Sequence, residues 1–446
     1  MGAFKAYDIR GIYEKDFTLD DVYRMGFFLP GLLNTNKILV GRDVRVSSPA
    51  MFEYLSNGIT DAGADVYDIG LSTTPMVYFG TAHHGFSASV MITASHNPKE
   101  YNGLKISREN ALPVGYDTGL AELEKLVKSG TIVKSAIKGK VIPFDIKKEY
   151  LDFLRKYVPN LNGIKISMDC SNGMACLLIK DLLEEKPLYF FDDMDGTFPN
   201  HEANPLVMEN VQDLMNHVLK NKSDIGVIFD GDADRVMFVD EKGHFISPDL
   251  IIAVLAHYFL KDKKGNVLQD IRTSKAVGEY IENMGSTMHM WRVGRAYAAL
   301  KLREIDGIFG GEYAGHYYFR DFFYSDSGIM ACLIALDVFT KMKNQGITVS
   351  QLIAKITAYV STGELNFKLD KKQEAMDALR DYFITKEKVV AVYDFDGYRC
   401  DFNDWWFNVR PSNTEPYLRF IAEAKDQEKL NSVVETATSI IRSFQD

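Results

Sequence analysis

The chain has 446 residues, which at about 150 residues per domain suggests three domains. Hydrophobic residues make up 46% and charged residues 25%, a balance that excludes a disordered chain. The 51 Lys and Arg against 61 Asp and Glu leave a formal net charge of −10, which excludes a general nucleic-acid binder but leaves room for a locally basic, anion-binding cleft. The longest strongly apolar run, residues 250–260, falls short of the about 20 residues that span a bilayer. The first residues hold no apolar signal core, and Ala6 stands where a myristoylation motif starting at Gly2 needs Ser or Thr. Four scattered cysteines, Cys170, Cys176, Cys332 and Cys400, read as buried thiols of a reducing compartment. The expectation is a cytoplasmic protein with neither a membrane nor a nucleic-acid partner.

In chain order, residues 37–41 read as a short strand. A helix follows from Ser47 to about Gly63, capped by Ser47 or Ser48, with Pro49 in its first turn. A strand over 64–71, a helix over 74–85 and a strand over 87–93 complete a βαβαβ pattern, which argues for a mostly parallel sheet covered by helices. The pattern recurs as strand 164–170, helix 172–185, strand 187–192, helix 208–220 and strand 224–229. It recurs again as strand 266–271, helix 274–284, strand 287–293, helix 295–304 and strand 307–310. From about Leu365 the order changes to a strand, a helix over 371–384, strands near 389–393, 405–410 and 417–424, and a last helix over 426–444. The fold class is α/β: three similar, mixed or mostly parallel α/β domains plus a C-terminal α+β domain. The divisions are 1–150, 151–248, 249–362 and 363–446.

Ligands of open α/β sheets bind beyond the carboxyl ends of the strands, so the loop after the third strand of each unit is informative. The first is Thr93-Ala94-Ser95-His96-Asn97-Pro98, where Ser95 offers a nucleophilic hydroxyl beside His96. An ordinary turn of Ser, Asn and Pro is the competing reading. The second is Asp230-Gly231-Asp232-Ala233-Asp234-Arg235, three alternating carboxylates that can converge on one hard cation. An EF-hand is excluded, because Arg235 takes the place of the obligatory Gly and the flanks read as strands. A solvated acidic turn stays open. The third is Gly310-Gly311-Glu312-Tyr313-Ala314-Gly315-His316, in which Glu312 can accept from sugar hydroxyls and His316 can move protons. The tail adds Arg410-Pro411-Ser412-Asn413-Thr414-Glu415-Pro416, with Arg419 on the next strand. Arg, hydroxyl and amide groups in one loop suit a phosphate dianion, and an ordinary surface turn is the alternative. Together the four loops describe phosphoryl transfer on a phosphorylated, polyhydroxylated small molecule.

These loops, with Tyr7-Asp8-Ile9-Arg10-Gly11, Val40-Gly41-Arg42-Asp43 and Tyr101-Asn102-Gly103-Leu104-Lys105, follow one another in a family's order across nearly the whole chain. The chain resembles the α-D-phosphohexomutases, and most of all the bacterial phosphomannomutase/phosphoglucomutase branch. The resemblance implies a four-domain, heart-shaped enzyme around a central cleft. Its domains would in turn bear a phosphoserine, bind a metal, read the sugar and grip a phosphate. Ser95 would be the phosphoserine, and Asp230, Asp232 and Asp234 would hold Mg²⁺ together with a phosphoserine oxygen. Lys105 and His316 would carry protons and Arg10 would stabilise charge. Glu312, Arg235, Arg272 and Arg295 would contact the sugar phosphate, and Arg410, Ser412, Asn413, Thr414 and Arg419 would hold its distant phosphate. The implied reaction moves a phosphoryl group between C1 and C6 of mannose or glucose phosphate. It passes through a glucose or mannose 1,6-bisphosphate that turns round in the cleft.

The sequence departs from the pattern at Ala314, where the sugar loop normally has Ser, at Arg295, where relatives often have His, and at Arg272, where many have Lys. Positive charge is kept or added, and sugar preference stays open. Phosphoglucosamine mutase is the nearest rival, opposed by Tyr7-Asp8-Ile9-Arg10-Gly11 and Asn413. A catalytically silent sugar-phosphate-binding protein and a simple phosphatase are the other readings. A monomer or weak homodimer acting on a small hexose phosphate is expected.

Overall fold

The computed structural model describes residues 2–412 and 417–445. Four β-sheets organise them. The first has the spatial order Ile9–Ile12, Tyr101–Arg108, Ala88–Ile92, Lys37–Arg42, Asp65–Leu71, Val141–Pro143. The second runs Phe245–Ile246, Val236–Asp240, Ile225–Phe229, Ile166–Asp169, Leu188–Phe190. The third runs Thr287–Trp291, Asn266–Asp270, Phe309–Gly311, Tyr317–Phe319, Ser325–Asp326. Each of the three contains the same motif. Three consecutive strands pair in parallel, and the next strand turns back antiparallel on the third. The repeat expected from the element pattern is thus a repeat of topology. The turn between the third strand and its antiparallel neighbour is the candidate loop in every case.

The fourth sheet is antiparallel throughout its named pairs and packs under the helices Lys372–Lys386 and Gln427–Arg442. Its edge pair begins at Val360–Ser361, which joins Tyr417–Ala424. The apolar run at 250–260 lies in the helix Pro248–Phe259, buried on nearly every side, as a helix without a polar face must be.

Several expected elements differ. The helix expected over 172–185 is a 3₁₀ turn, Met174–Leu177, and a short helix, Ile179–Leu183. Ser171 and Asn172 sit at φ 51° and 52°, in the left-handed region that a right-handed helix cannot include. Ser47 does not cap the helix Ser48–Asp61 through its side chain, although Pro49 does stand in the first turn. Ser47 Oγ instead accepts from Asn102 Nδ2 at 2.8 Å, and Ser48 Oγ donates to Asp43 at 2.6 Å. The strands Tyr101–Arg108 and Tyr398–Asp401 have no counterpart in the element pattern read from the sequence. Cys170, Cys332 and Cys400 are buried free thiols, whereas the free Cys176 is partly exposed.

Candidate active site

A cleft of about 1120 Å³ opens between the four sheets, and residues from all four units line it. Arg10, Lys105, Asp234, Arg235, Arg272, Arg295, Glu312, His316, Arg410, Ser412 and Arg419 reach its wall. Ser95, Asp230 and Asp232 lie behind that wall, fully buried. Asn413 and Thr414 lie outside the described residues.

The Ser95 loop is held from beneath by Arg45. This guanidinium is 1% exposed and bonds the carbonyls of Ser95, Asn97, Pro98 and Tyr101 at 2.7–3.0 Å, with Asp43 paired to its Nε. Four carbonyls drawn to one cation bend the loop tightly, and Ser95 takes φ +53°. The second loop meets the first at Gly231. A Cβ there would lie 2.5 Å from the Ser95 carbonyl, so only glycine lets the two loops approach. That approach brings Ser95 Oγ within 3.0 Å of Asp230 Oδ2.

Asp230, Asp232 and Asp234 converge with carboxylate oxygens within 4.8 Å of one another. Lys105 Nζ donates to Asp232 at 2.7 Å and to Asp234 at 2.5 Å. Thr74, at the start of the helix Thr74–His83, donates its hydroxyl to Asp232 at 2.5 Å. Even so, one buried oxygen each of Asp232 and Asp234 has no hydrogen-bond partner among the described residues. Burial pushes Asp230 well above the usual carboxylate range, and the Asp234 and Asp232 charges push it further. Burial opposes ionisation of Asp234 too, but Lys105, His316 and Arg235 hold it well down. Crowded, all-oxygen donors with two unsatisfied atoms fit a hard divalent cation such as Mg²⁺.

His316 and Glu312 adjoin the carboxylate cluster. His316 Nδ1 donates to Glu312 at 3.1 Å, and Nε2 stands 3.2 Å from Arg235 Nε and 3.6 Å from Asp234. Burial and Arg235 favour the neutral imidazole, but Asp234 and Glu312 outweigh them and raise the ring to about 9. His96 behaves oppositely. Burial, Arg235 and Arg10 hold it well below the ordinary histidine range, and Arg235 Nη2 lies 2.6 Å from its Nδ1. Arg10 bonds Asn97 at 2.7 Å and Asp8 at 2.5 Å.

Toward the far end, Arg272 pairs with Asp270 at 2.7 Å, Arg410 with Asp396 at 3.0 Å and Arg419 with Glu364 at 2.9 Å. Arg295 is committed to the seam between the first and third units. It pairs with Asp326 at 2.9 Å, bonds the Ala111 carbonyl at 3.0 Å and lies 3.6 Å over the Tyr78 ring. Sequence reasoning missed Arg45, Thr74, Asp326 and Asp396. Arg45 alone left a signal, as a charged residue just beyond an apolar strand and two positions from Asp43.

Models of the phosphoglucomutase/phosphomannomutase family match most of the chain. The α/β/α domains I, II and III match residues 1–133, 148–243 and 247–359, and the C-terminal domain matches 364–439. A phosphomannomutase of Escherichia coli (strain K12) is 37% identical over 440 residues, 95% of each chain. The chain belongs to the phosphoglucomutase/phosphomannomutase family. A Xanthomonas campestris pv. campestris (strain B100) protein named for phosphohexose mutases is 35% identical over 451 residues, 100% of this chain and 99% of that one. The crystal structure of a phosphoglucomutase/phosphomannomutase family protein from Burkholderia thailandensis superposes with TM-score 0.89 at 26% identity, over 99% of this chain and 97% of that one. As a member of this family the chain is an isomerase of the phosphotransferase kind, acting on hexose phosphates. Among the described residues no helix is long and apolar enough to cross a membrane.

Proposed function

We propose that this enzyme moves a phosphoryl group reversibly between C1 and C6 of a hexose phosphate, of mannose, glucose or both, through a phosphoserine at Ser95 and a hexose 1,6-bisphosphate. The observation that carries the reading is the 3.0 Å contact between Ser95 Oγ and Asp230, which joins a nucleophile of one unit to the carboxylate cluster of another. In the first half, a sugar hydroxyl attacks the Ser95 phosphate. The new O–P bond forms as the Ser95 O–P bond breaks, the attacking hydroxyl gives up its proton to a side chain of the site, and the Ser95 oxygen takes one up. The bisphosphate turns round, and Ser95 takes the other phosphoryl group by the reverse step.

Lys105 and His316 would carry protons at the reacting oxygens, and Arg10 would stabilise charge on the transferring group. Asp230, Asp232 and Asp234 would hold Mg²⁺ with a phosphoserine oxygen, and the ion would neutralise charge at the transferring phosphoryl group. Glu312 reads the sugar hydroxyls. Arg410, Ser412 and Arg419 grip the distant phosphate, joined by Asn413 and Thr414 outside the described residues. Arg272 and Arg235 add positive charge to the wall, and Arg295 positions the wall by way of Asp326. The fourth unit would close over the bound sugar phosphate and keep water from the phosphoserine, which favours transfer to sugar over hydrolysis. The divisions 1–150, 151–248, 249–362 and 363–446 would each contribute one of these parts.

The test is turnover on mannose 1-phosphate and glucose 1-phosphate in parallel, with Mg²⁺ and a trace of glucose 1,6-bisphosphate. Comparable kcat/KM on both establishes dual specificity. Ser95→Ala is expected to fold and to show no turnover, and full activity in that variant would overturn the reading.

A further inference from the structure

The Val293-Gly294 segment is a meeting point of three units. The Val293 N–H donates to Asp396 Oδ2 at 2.9 Å, and the Val293 carbonyl accepts from the Tyr7 hydroxyl at 3.0 Å. The Gly294 N–H donates to Glu312 Oε1 at 2.8 Å. Gly294 has φ +121°, and a Cβ there would sit 2.7 Å from the Tyr7 ring, so the junction depends on glycine. The second oxygen of Asp396 accepts from Arg410 Nε at 3.0 Å. Both side chains are nearly enclosed, Asp396 at 11% and Arg410 at 4% exposure. Beside them Trp291 stacks on Phe395 with ring centres 5.2 Å apart, which closes the same seam with apolar contact.

Hydrogen bonds therefore link Arg410 to Asp396 and Asp396 to the Val293 N–H, and one residue on they link the Gly294 N–H to Glu312 and Glu312 to His316. We propose that Asp396 is a positioning residue that couples the phosphate grip of the fourth unit to the sugar-reading glutamate of the third. The inference rests on the roles proposed above for Arg410 and Glu312. A guanidinium held at Nε by a carboxylate presents its outer nitrogens in one orientation, the one a phosphate dianion can meet with two bonds. The same carboxylate holds the loop whose next N–H fixes Glu312. A sugar phosphate seated correctly at its distant phosphate thus finds its hydroxyl reader already in place, and misplacement by about 1 Å is costly in such a site. If Asp396 merely stabilised its own turn, its loss would lower stability without changing what Glu312 contributes.

A double-mutant cycle separates the two roles. Asp396→Ala, Glu312→Gln and the double variant are compared in kcat, KM and binding of glucose 1,6-bisphosphate by calorimetry. Asp396→Ala is expected to raise KM about tenfold or more, the scale of a lost charge-assisted hydrogen bond. The double variant is expected to fall within about threefold of the worse single variant in kcat/KM, because both act through one loop. Effects that multiply, or an unchanged KM in a folded Asp396→Ala, overturn the proposal. If the alanine variant does not fold, Asp396→Asn enters the same cycle under the same criteria. Wild-type enzyme without turnover would refute the mutase reading, and the calorimetric cycle would still decide the coupling.

Discussion

Thr74 and Asp232 join two sheets through two hydrogen bonds. The Thr74 hydroxyl donates to the Asp232 carboxylate at 2.5 Å, and the Thr74 N–H donates to the Asp232 carbonyl at 3.1 Å. The first N–H groups of a helix lack intrahelical acceptors, so here the helix Thr74–His83 spends one on a neighbouring unit. Thr74→Val keeps the shape and removes the hydroxyl donor. It is expected to cost about 1–3 kcal/mol of stability and to raise the Mg²⁺ concentration for half-maximal activity several-fold. Urea unfolding and a Mg²⁺ titration of turnover check both. An unchanged Mg²⁺ requirement would show that Thr74 does not orient the carboxylate.

Arg45 is buried with Asp43, and its guanidinium gathers four carbonyls of the Ser95 loop. Arg45→Leu leaves Asp43 an unpaired buried charge and the carbonyls without their shared donor. The expected loss is about 3–5 kcal/mol, the scale of a broken buried pair. Arg45→Lys keeps the charge but not the fork, and is expected to fold while losing kcat more than KM. Denaturation curves and steady-state kinetics on both variants test this.

Burial and its two acidic neighbours push Asp230 well above the ordinary carboxylate range. Neutralising it relieves repulsion in the absence of a cation. Asp230→Asn in chelator is therefore expected to be at least as stable as wild type. Added Mg²⁺ is expected to raise the Tm of wild type and leave the variant's unmoved, since a ligand stabilises only the state that binds it. Differential scanning fluorimetry with and without Mg²⁺ decides it, and equal shifts in both proteins would count against the three-carboxylate site.

His201 is a predicted source of pH dependence. Its Nε2 lies 3.0 Å from Asp169 and its Nδ1 2.8 Å from the Glu202 carbonyl, so both nitrogens face acceptors and the ring favours its charged form. Burial works against that charge, but Asp169 and Glu202 prevail and the ring titrates above the ordinary histidine value. A raised folded-state value contributes stability that is fully present below the unfolded value, about 6.5, and is lost as pH rises through the folded value. The stability gap between wild type and His201→Gln is expected to be widest near pH 6 and to shrink at alkaline pH. Urea midpoints across pH 5.5–9 measure it. Because Glu202 and Asn204 line the cleft, KM in His201→Gln is expected to rise as well.

Much of the candidate site was legible from local pattern. Ser95, the three aspartates, Glu312 and His316 each follow an apolar strand, and a strand-to-loop change within a few residues is a local signal. Lys105 sits on a strand that the element pattern did not register. Tyr101–Arg108 mixes polar and glycine residues, because it pairs on both sides and packs one face against the cleft. The helix expected over 172–185 failed because backbone angles at Ser171 and Asn172 answer to the neighbouring loop. There the Met174 N–H donates to the Gly231 carbonyl at 2.9 Å.

The sequence by itself determined the four-part plan, the α/β class and the residue types of each loop, since periodicity and turn chemistry act over a few residues. It also determined the family, through motifs kept in order. Only the tertiary structure decided which residues meet. Ser95 lies 135 positions from Asp230, Lys105 127 from Asp232, and Val293 103 from Asp396. Contacts at such separation come from packing one unit on another, which no local periodicity records. The same packing commits Arg295 to the seam with Tyr78 and Asp326, a partner set that charge and position in the chain leave open.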